Sequence, residues 1–340
     1  MLSGEAGAFK SVKFESQSEL KRIRYLIYMK SRYAFLTVDT EALPNRAPED
    51  HVNRLILGVH GEHRAGVLEM ASIGAEFNAP LIFFLDLCGS WERMDELSAA
   101  AKKLLTLKQD VQLHAHPEYL PKSFWQEHKI NPRPAFLNYY DEKRTNSVLG
   151  ILAAKFTEIT GKKATAFRAG SFRWNASTLK TLKNLGILYS FNNSMGAICM
   201  RQCPFSRPTN EIFQWSNGIL EIPVSEKQIF SFLDPPWWAR LQYPQSPYFR
   251  HRAHWLSWLP GSLPKTVNPA VFLIHSWSFL HRDKKGYEVY VNDRAMNGFR
   301  KFLHKLTLDY DIITSEDLPD LFARGELKPN YIEDVEKAAI

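Results

Sequence analysis

The chain reads Asp110-Val-Gln-Leu-His-Ala-His-Pro-Glu-Tyr119 at the point where an apolar run ends and polar residues begin. The apolar residues predict a buried strand. Its end would place His114 and His116 on one face, because residues i and i+2 of a strand point the same way. Two imidazoles at a strand end are typical of a metal site that still needs a carboxylate ligand. This stretch therefore predicts part of a metal centre at the end of a buried strand.

Apolar runs of strand length alternate with helix-length amphipathic segments on both sides of this stretch. Pro80 opens one such run, whose unbroken apolar character is typical of a strand covered on both faces. Asn175 is expected to cap a helix that Gly186 ends. The predicted strands span residues 33–39, 81–85, 110–114, 164–167, 187–191, 218–222, 271–274 and 310–314, and the predicted helices span 14–30, 64–78, 92–107, 145–160, 175–185 and 292–307.

Repeated alternation of strand and helix predicts a parallel sheet with helical crossovers. The number of strands favours an α/β fold of the distorted (β/α)7–8 TIM-like barrel type over an open doubly wound sheet. Neither G-x-G-x-x-G nor G-x-x-x-x-G-K-[ST] follows a strand, so a dinucleotide site or a P-loop is not supported. Active sites of such barrels gather at the carboxyl ends of the strands. The polar residues at or just after those ends are Asp39, Glu41, His114, His116, Arg168, Glu221 and His275.

The composition is that of an ordinary globular protein of 340 residues, 45% hydrophobic and 23% charged. Three scattered cysteines, Cys88, Cys199 and Cys203, form no C-x-x-C pair, which argues against a disulfide framework or a zinc knuckle. No apolar run reaches the length of about 18 residues that a transmembrane helix needs. Charged residues interrupt the N-terminal stretch where a signal peptide would lie. We expect a cytoplasmic protein.

The formal net charge of +7 has two interpretations. One is an anionic partner, such as a phosphate group or a membrane surface. The other is a mildly basic surface, because no long block of like charges occurs. We expect no nucleic-acid partner.

Three parts are expected along the chain: an N-terminal helical extension over 1–30, a single barrel over 31–325, and a C-terminal tail over 326–340. Residues 199–262 interrupt the strand–helix rhythm with many aromatic residues, prolines and arginines. They predict an insertion that lies over the mouth of the barrel.

The stretch Leu36-Thr-Val-Asp-Thr-Glu41 supplies carboxylates. If the strand continues, Asp39 and Glu41 share a face, so an Asp-x-Glu pair joins the two histidines at the barrel mouth. Two carboxylates and two imidazoles are enough for a bound metal and a separate base. Either motif alone has a plainer interpretation, since a strand-end aspartate is commonly a turn or helix cap and a single histidine commonly belongs to a core.

These residues, in this order, resemble the NodB-type polysaccharide deacetylases (carbohydrate esterase family 4), and most closely the branch found in lipopolysaccharide and O-antigen biosynthesis. The similarity spans roughly residues 33–318. It also includes Gly61-Glu-His-Arg-Ala-Gly66, Pro80-Leu-Ile-Phe-Phe-Leu85, Phe167-Arg-Ala-Gly-Ser-Phe172, Glu221-Ile-Pro223 and Leu273-Ile-His275. The resemblance implies a barrel of the glycoside hydrolase/deacetylase type.

The resemblance also implies metal-dependent removal of an acyl group from a sugar. That reaction needs an activated water, a polarised carbonyl and a proton for the leaving group. Asp39 is similar to the family's general base, Arg168 to the arginine that orients and ionises this base, and His275 to the general acid. The metal, expected to be zinc, would be held by Glu41, His114 and His116.

Two positions depart from the family's pattern. Many members have His-x-x-x-His, which would place the second imidazole where this chain has Glu118. Either His116 takes over or Glu118 is the ligand; imidazole is the better zinc ligand, and His116 lies on the same strand face as His114. Many members also have two adjacent aspartates where this chain has Thr40-Glu41, and the longer glutamate side chain can reach a metal.

The expected substrate is an acylated sugar that is nucleotide-linked, lipid-linked or polymeric, and peripheral association with the inner membrane is a further expectation. The candidate substrate-binding residues are Glu221, Trp277, Glu62 and Glu118. Of these, Glu221 is also expected to support the site from behind, and Glu62 to be an exposed loop residue.

Two other functions fit the same residues. One is a glycan-binding barrel whose catalytic apparatus has decayed. The other is a glycosidase that pairs Asp39 with Glu221, which needs the two carboxyls about 5–9.5 Å apart. The glycosidase leaves the histidine pair without a role.

Overall fold

Seven parallel strands form a ring in the order in which they follow one another along the chain. The structure is a computed structural model that describes residues 32–47, 50–205, 207, 209–230, 237–245, 268–285 and 287–338. The ring strands are β1 (Tyr33–Thr40), β2 (Ile82–Asp86), β3 (Asp110–Ala115), β4 (Ala166–Ala169), β5 (Tyr189–Ser190), β6 (Leu220–Glu221) and β7 (Ala270–His275). The first and last strands are neighbours, because β1 pairs with β7 up to the register pair Asp39–His275.

The ring closes between β6 and β7 through loop residues. The backbone N–H of Ser225 donates to the carbonyl of Val271 at 3.2 Å, and Val271 N–H donates to Ser225 Oγ at 2.9 Å. Residues 241–243 continue this edge, where Leu273 N–H donates to the carbonyl of Leu241 at 2.9 Å. Because the ring closes through irregular loop residues, the barrel is distorted. The prediction of a distorted (β/α) barrel is confirmed.

Helices lie outside the ring and pack their apolar faces against the strands. The α-helices span Val67–Ala75, Met94–Thr106, Lys122–Glu127, Glu142–Thr160, Ala176–Leu185, Met195–Cys199, Asp293–Asp309 and Leu318–Ala323. Shorter helical turns span Val52–Ile56, Trp91–Arg93, Pro117–Tyr119, Leu137–Tyr139, Gly170–Phe172, Ser315–Asp317 and Val335–Ala338. No helix in the described ranges is long and apolar enough to cross a membrane.

Further strands lie outside the ring. In the described residues, three two-stranded antiparallel sheets pair Val59–His60 with His63–Arg64, Glu226–Phe230 with Trp237–Arg240, and Leu280–Arg282 with Glu288–Val291. Phe213–Trp215 pairs with β6 on one side and with Ile332–Glu333 on the other. Asp311–Ile312, within the predicted strand 310–314, pairs only with the start of β1, so it is not an eighth ring strand.

The predicted elements are confirmed with shifts of a few residues at their ends. Asn175 caps its helix by accepting a hydrogen bond from Thr178 N–H, and Gly186 ends it at φ +75°. The predicted helix 14–30 and extension 1–30 lie outside the described residues, as does part of the predicted insertion. The part of 199–262 that is described contains β6, the outer strand Phe213–Trp215 and the antiparallel pair of Glu226–Phe230 with Trp237–Arg240.

Alternation along the strands sorts the side chains into two layers. On β1, Leu36 and Val38 face the helices, whereas Phe35 belongs to the inner cluster of the barrel. Asp39 therefore shares the inner face with Phe35, because side chains of a strand alternate with period two. The same alternation sends His114 inward, since Val111 and Leu113 face the helices. The polar residues thus converge at the carboxyl end of the barrel interior.

Candidate active site

Glu41, His114 and His116 bring three possible metal-ligand atoms together at the carboxyl ends of β1 and β3. Glu41 Oε1 lies 2.9 Å from Nε2 of His114 and 3.1 Å from Nε2 of His116. The two imidazole rings stand edge-to-face with centroids 4.9 Å apart. All three side chains are buried. The structure thus brings together the three residues predicted as metal ligands.

Each of the two histidines has its Nδ1 atom engaged on the side away from Glu41. The Nδ1 of His114 lies 2.7 Å from the carbonyl oxygen of Arg168, and the Nδ1 of His116 lies 2.7 Å from Glu118 Oε1. A carbonyl or carboxylate oxygen can only accept, so Nδ1 carries the proton in both rings. When such a ring is neutral, its Nε2 atom is left with a lone pair that points at Glu41.

The electrostatics of this triad favour a cation. Burial alone would raise the pKa of the Glu41 carboxyl, but His116 and His114 outweigh it and hold that pKa well below its usual range. Burial likewise opposes a charge on His116, yet Glu41 and Glu118 raise its pKa well above the ordinary value. A buried carboxylate that faces two imidazole nitrogens needs positive charge beside it, from protons on the rings or from a bound cation, and one carboxylate with two imidazoles suits a divalent metal. The residues present therefore fit a bound metal.

Asp39 forms a buried ion pair with Arg168. The Nη1 atom of Arg168 donates to Asp39 Oδ1 at 2.6 Å, and neither side chain is exposed to solvent beyond a few per cent. Arg168 is held by its Nε atom, which donates to the carbonyl of Phe191 at 3.3 Å, and its guanidinium lies 4.5 Å above the ring of Phe84. A planar guanidinium held in this way orients the carboxylate as well as balancing its charge.

His275 completes the site from β7, next to β1. One nitrogen of His275 and one oxygen from each of Asp39 and Glu41 lie within 4.8 Å of one another. Its ring stacks on Trp277 with centroids 5.0 Å apart, and the guanidinium of Arg46 lies 4.4 Å from the Trp277 ring. Burial lowers the pKa of His275, against the opposing effect of the Glu41 and Asp39 carboxylates. The residues predicted as base, acid and metal ligands thus share one end of the barrel.

The four predicted substrate-binding residues lie in different settings. Glu118 contacts the Nδ1 edge of His116 and is not one of the three converging ligand residues. Trp277 is buried against His275 and Arg46. Glu62 is exposed at the turn of the 59–64 hairpin. The fully buried Glu221 accepts hydrogen bonds from Asn192 N–H at 2.8 Å, Asn193 N–H at 2.7 Å and Trp215 Nε1 at 3.1 Å.

Asp86 supports the site but did not emerge from the sequence. It lies at the end of β2. Its Oδ1 atom accepts hydrogen bonds from the backbone N–H groups of His116 at 3.0 Å and Cys88 at 3.1 Å. Its Oδ2 atom accepts a hydrogen bond from the backbone N–H of Gly89 at 3.0 Å. It thereby fixes the backbone that carries His116. Its position at the end of a strand next to β3 was the available signal.

Gly170 also supports the site. A Cβ atom at this position would lie 2.5 Å from Cγ and from Nδ1 of the His116 imidazole. The His116 ring therefore packs directly on the backbone that follows β4. The signal in the sequence was a glycine two residues after Arg168, within a strand-end motif.

Neither a family model nor a curated protein matches the sequence. Solved structures do match the fold. A Mycobacterium smegmatis protein assigned as a polysaccharide deacetylase aligns with a TM-score of 0.53 and 16% identity, over 88% of this chain and 93% of its own. The chain shares the barrel fold of that protein. The 4-alpha-glucanotransferase of Thermococcus litoralis aligns with a TM-score of 0.51 and 11% identity, over 89% of this chain and 41% of its own.

Proposed function

We propose that this protein is a metal-dependent hydrolase that removes an N-acetyl or other acyl group from a sugar. The observation that carries the proposal is the convergence of Glu41, His114 and His116 beside the ion-paired Asp39. An acyl-transfer centre needs a polarised carbonyl, a base and an acid within reach of one another. The resemblance of the motifs to family 4 carbohydrate esterases points to the same chemistry.

The metal would be held by Glu41, His114 and His116, and the carboxylate–imidazole donor set favours zinc. When bound, a divalent cation acts as a Lewis acid that polarises the acyl carbonyl. The contacts of Nδ1 in both histidines leave Nε2 as the donor atom. In this arrangement Glu118 orients His116 and raises its basicity, as carboxylates behind metal-bound histidines do.

Asp39 is placed to take a proton from the attacking water. Its ion pair with Arg168 balances the charge of the carboxylate and fixes its orientation. His275, within 4.8 Å of the Asp39 carboxylate, is placed to deliver a proton to the departing nitrogen or oxygen. Stacking on Trp277 fixes the plane of that imidazole.

The substrate class proposed is an acylated sugar of surface-polysaccharide assembly, in the lipopolysaccharide or O-antigen branch. The motif resemblance supports this class, and the polysaccharide deacetylase assignment of the M. smegmatis protein agrees with it. A cytoplasmic location, with the sugar linked to a nucleotide, a lipid carrier or a growing polymer, follows from the same proposal. Peripheral contact with an anionic membrane surface would suit the net charge of +7.

The test is acetate release by zinc-loaded protein from N-acetylated sugars in nucleotide-linked, lipid-linked and oligomeric form. We expect Asp39→Asn to lower the rate by about 10²–10⁴-fold, the usual contribution of a general base, while metal content stays at the wild-type level. His114→Ala should lose the metal, and the exposed Asp95→Asn should behave as wild type. A fully metal-loaded wild-type protein that releases no acyl group from any of these sugars would refute the proposal.

The glycosidase alternative is disfavoured by the surroundings of Glu221. Its carboxylate is fully buried and accepts hydrogen bonds from two backbone N–H groups and from an indole. A carboxyl engaged in this way is not free to act on a sugar across from Asp39. The decayed glycan-binding barrel predicts glycan affinity that is unchanged by a chelator, so a binding titration with and without EDTA distinguishes it from the hydrolase.

A further inference from the structure

A cavity of about 620 Å³ is lined mainly by residues of the connection that follows β1. Its volume is in the range of about 300–1,000 Å³ that is usual for small-molecule sites. Its walls come from the helical turn Val52–Ile56, from the 59–64 hairpin and from Val291. The side chains that define its chemistry are Asp50, Arg54, Leu57, His63, Arg64 and Val291.

The cavity is on the same face of the barrel as the proposed chemistry. Residues 50–64 lie in the connection between the end of β1 and its following helix Val67–Ala75, and Val291 lies in the connection after β7. In a (β/α) barrel both connections belong to the face at the carboxyl ends of the strands. Asp50 follows Arg46, which contacts Trp277 beside His275, by only four residues, so their Cα atoms are at most about 14 Å apart.

Close backbone–backbone contacts between the two ends of the 59–64 hairpin hold the wall of the cavity in shape. Gly58 has φ +59°, and a Cβ there would lie 2.4 Å from the backbone of Ala65. A Cβ at Gly66 would lie 2.2 Å from the carbonyl oxygen of Ile56. The hairpin is further tied by Ala65 N–H, which donates to the carbonyl of Gly58 at 3.1 Å. Only glycine allows this approach, so the positions of Arg54 and Arg64 on the wall are preorganised.

The cavity carries net positive charge. Arg54 and Arg64 line it, and neither guanidinium forms an ion pair within the described part of the chain. Asp50 is the only carboxylate among the described residues that line the cavity, and it lies 3.2 Å from Arg93, which offsets its charge. His63 adds a further nitrogen donor. Two unpaired guanidiniums on a preformed wall are suited to an anion with several acceptor oxygens.

We propose that this cavity binds a phosphate or diphosphate group of the sugar substrate. The inference rests on the proposed deacylation and narrows its substrate to an acylated sugar that carries phosphate, on a nucleotide or on an isoprenoid lipid. In this arrangement the sugar lies at the Asp39–His275 end of the barrel, and its phosphate or diphosphate group lies against the arginines of the cavity. A neutral polymer would have no group to pair with Arg54 and Arg64.

The first experiment measures binding of inorganic pyrophosphate by calorimetry to the full-length protein in EDTA, so that metal–phosphate contacts are absent. We expect Arg54→Gln/Arg64→Gln to weaken binding by about tenfold for each arginine, as for other charge-assisted hydrogen bonds. Lys102→Gln/Lys143→Gln, which removes the same charge from two exposed helix positions, should bind as wild type. If the double variant is unstable, Arg64→Gln at its exposed position is tested alone, and we expect it to lower the affinity for pyrophosphate about tenfold.

Absence of pyrophosphate binding by the wild type at millimolar concentration would overturn the proposal, as would equal binding by the arginine variant and the lysine control. The second experiment compares acetate release by the zinc-loaded protein from one N-acetylhexosamine in three forms: free, linked to uridine diphosphate, and linked to a short isoprenoid diphosphate. We expect a higher kcat/KM for a diphosphate form, lost in the arginine variant.

The three substrates separate the two proposals and the two sources of phosphate. Preference for the uridine form or the isoprenoid form identifies the carrier. Equal turnover of the free sugar, with no effect of the arginine substitutions, would refute the phosphate site and leave the deacetylase intact. Pyrophosphate binding that depends on the arginines, without release of acetate from any form, would refute the deacetylase and leave the anion site.

Discussion

At the residue scale, the orientation of two imidazoles decides what the site can hold. His114 and His116 both present Nε2 to Glu41, because Nδ1 of the first meets the carbonyl of Arg168 and Nδ1 of the second meets Glu118. These contacts explain both positions, Glu41 and Glu118, at which the chain departs from the pattern of the family that it resembles. Glu41 is long enough to reach between the rings, and Glu118 contacts the ring edge opposite Glu41.

Glu118→Gln should therefore weaken zinc binding without abolishing it. The amide keeps an oxygen for His116 Nδ1 but loses the charge that supports the ring, and loss of such a partner lowers metal affinity about 10–100-fold. Competition titration against a zinc chelator measures the effect. His116→Ala, the matched ligand variant, should lose more affinity than Glu118→Gln; the reverse order would make Glu118 the ligand and His116 its support.

At the element scale, the residues at which strands and helices end determine which side chains come close together, and the local sequence pattern does not predict these contacts. The helix Glu142–Thr160 begins three residues before the predicted start because Asp141 caps it, accepting a hydrogen bond from Arg144 N–H. Arg168 lies within β4, and the following turn Gly170–Phe172 passes against the His116 ring. The connection after β4 thus restricts the position of the His116 ring, which the connection after β3 supplies.

Gly170→Ala should disturb this contact. The added methyl would lie 2.5 Å from the His116 ring, so the ring or the turn must shift. We expect a stability loss of about 1–3 kcal/mol, the usual cost of overpacking, and weaker zinc binding, measured by urea denaturation and chelator competition.

Gly150→Ala is the matched control for this substitution. It lies inside the helix Glu142–Thr160, where a Cβ would meet nothing within 4 Å. It should raise stability by about 0.5–1 kcal/mol, because alanine is the better helix former, and leave zinc affinity unchanged. Equal zinc affinity in both glycine variants would show that the turn after β4 does not position His116.

At the scale of the whole molecule, Glu221 ties together parts of the barrel that are far apart in sequence. From β6 it accepts hydrogen bonds from the connection after β5 and from Trp215 on the outer strand. Burial is the main cause that raises the pKa of its carboxyl from 4.5 to about 7, although its hydrogen-bond donors oppose the rise.

This pKa makes global stability depend on pH. Between pH 4.5 and about 7 the folded protein keeps a proton on Glu221 that the unfolded chain has released. The proton stabilises the fold fully below that window, and the benefit is lost as the pH rises through it, at a cost of about 3 kcal/mol. Glu221→Gln, which does not titrate, should lack this component in urea denaturation at pH 4 and pH 8. Parallel pH dependence in wild type and variant would contradict the raised pKa.

The amino-acid sequence by itself determined the barrel class and which residues are candidates for the chemistry. Hydrophobic periodicity is a local property, and it located all seven ring strands and the polar residues at their ends. It also placed Asp39 and Glu41 on the same face of one strand, and His114 and His116 on the same face of another strand, because both pairs follow the period of two along a strand.

Tertiary structure alone decided which of these residues meet. Closure of the ring through Ser225 and residues 241–243 brings β7 beside β1, and with it His275 beside Asp39. The contacts of Glu118, Asp86 and Gly170 with His116 join residues from different connections. The physical reason is that packing and hydrogen bonding between distant segments depend on how the strands are stacked around the ring, and local propensity carries no information about that arrangement.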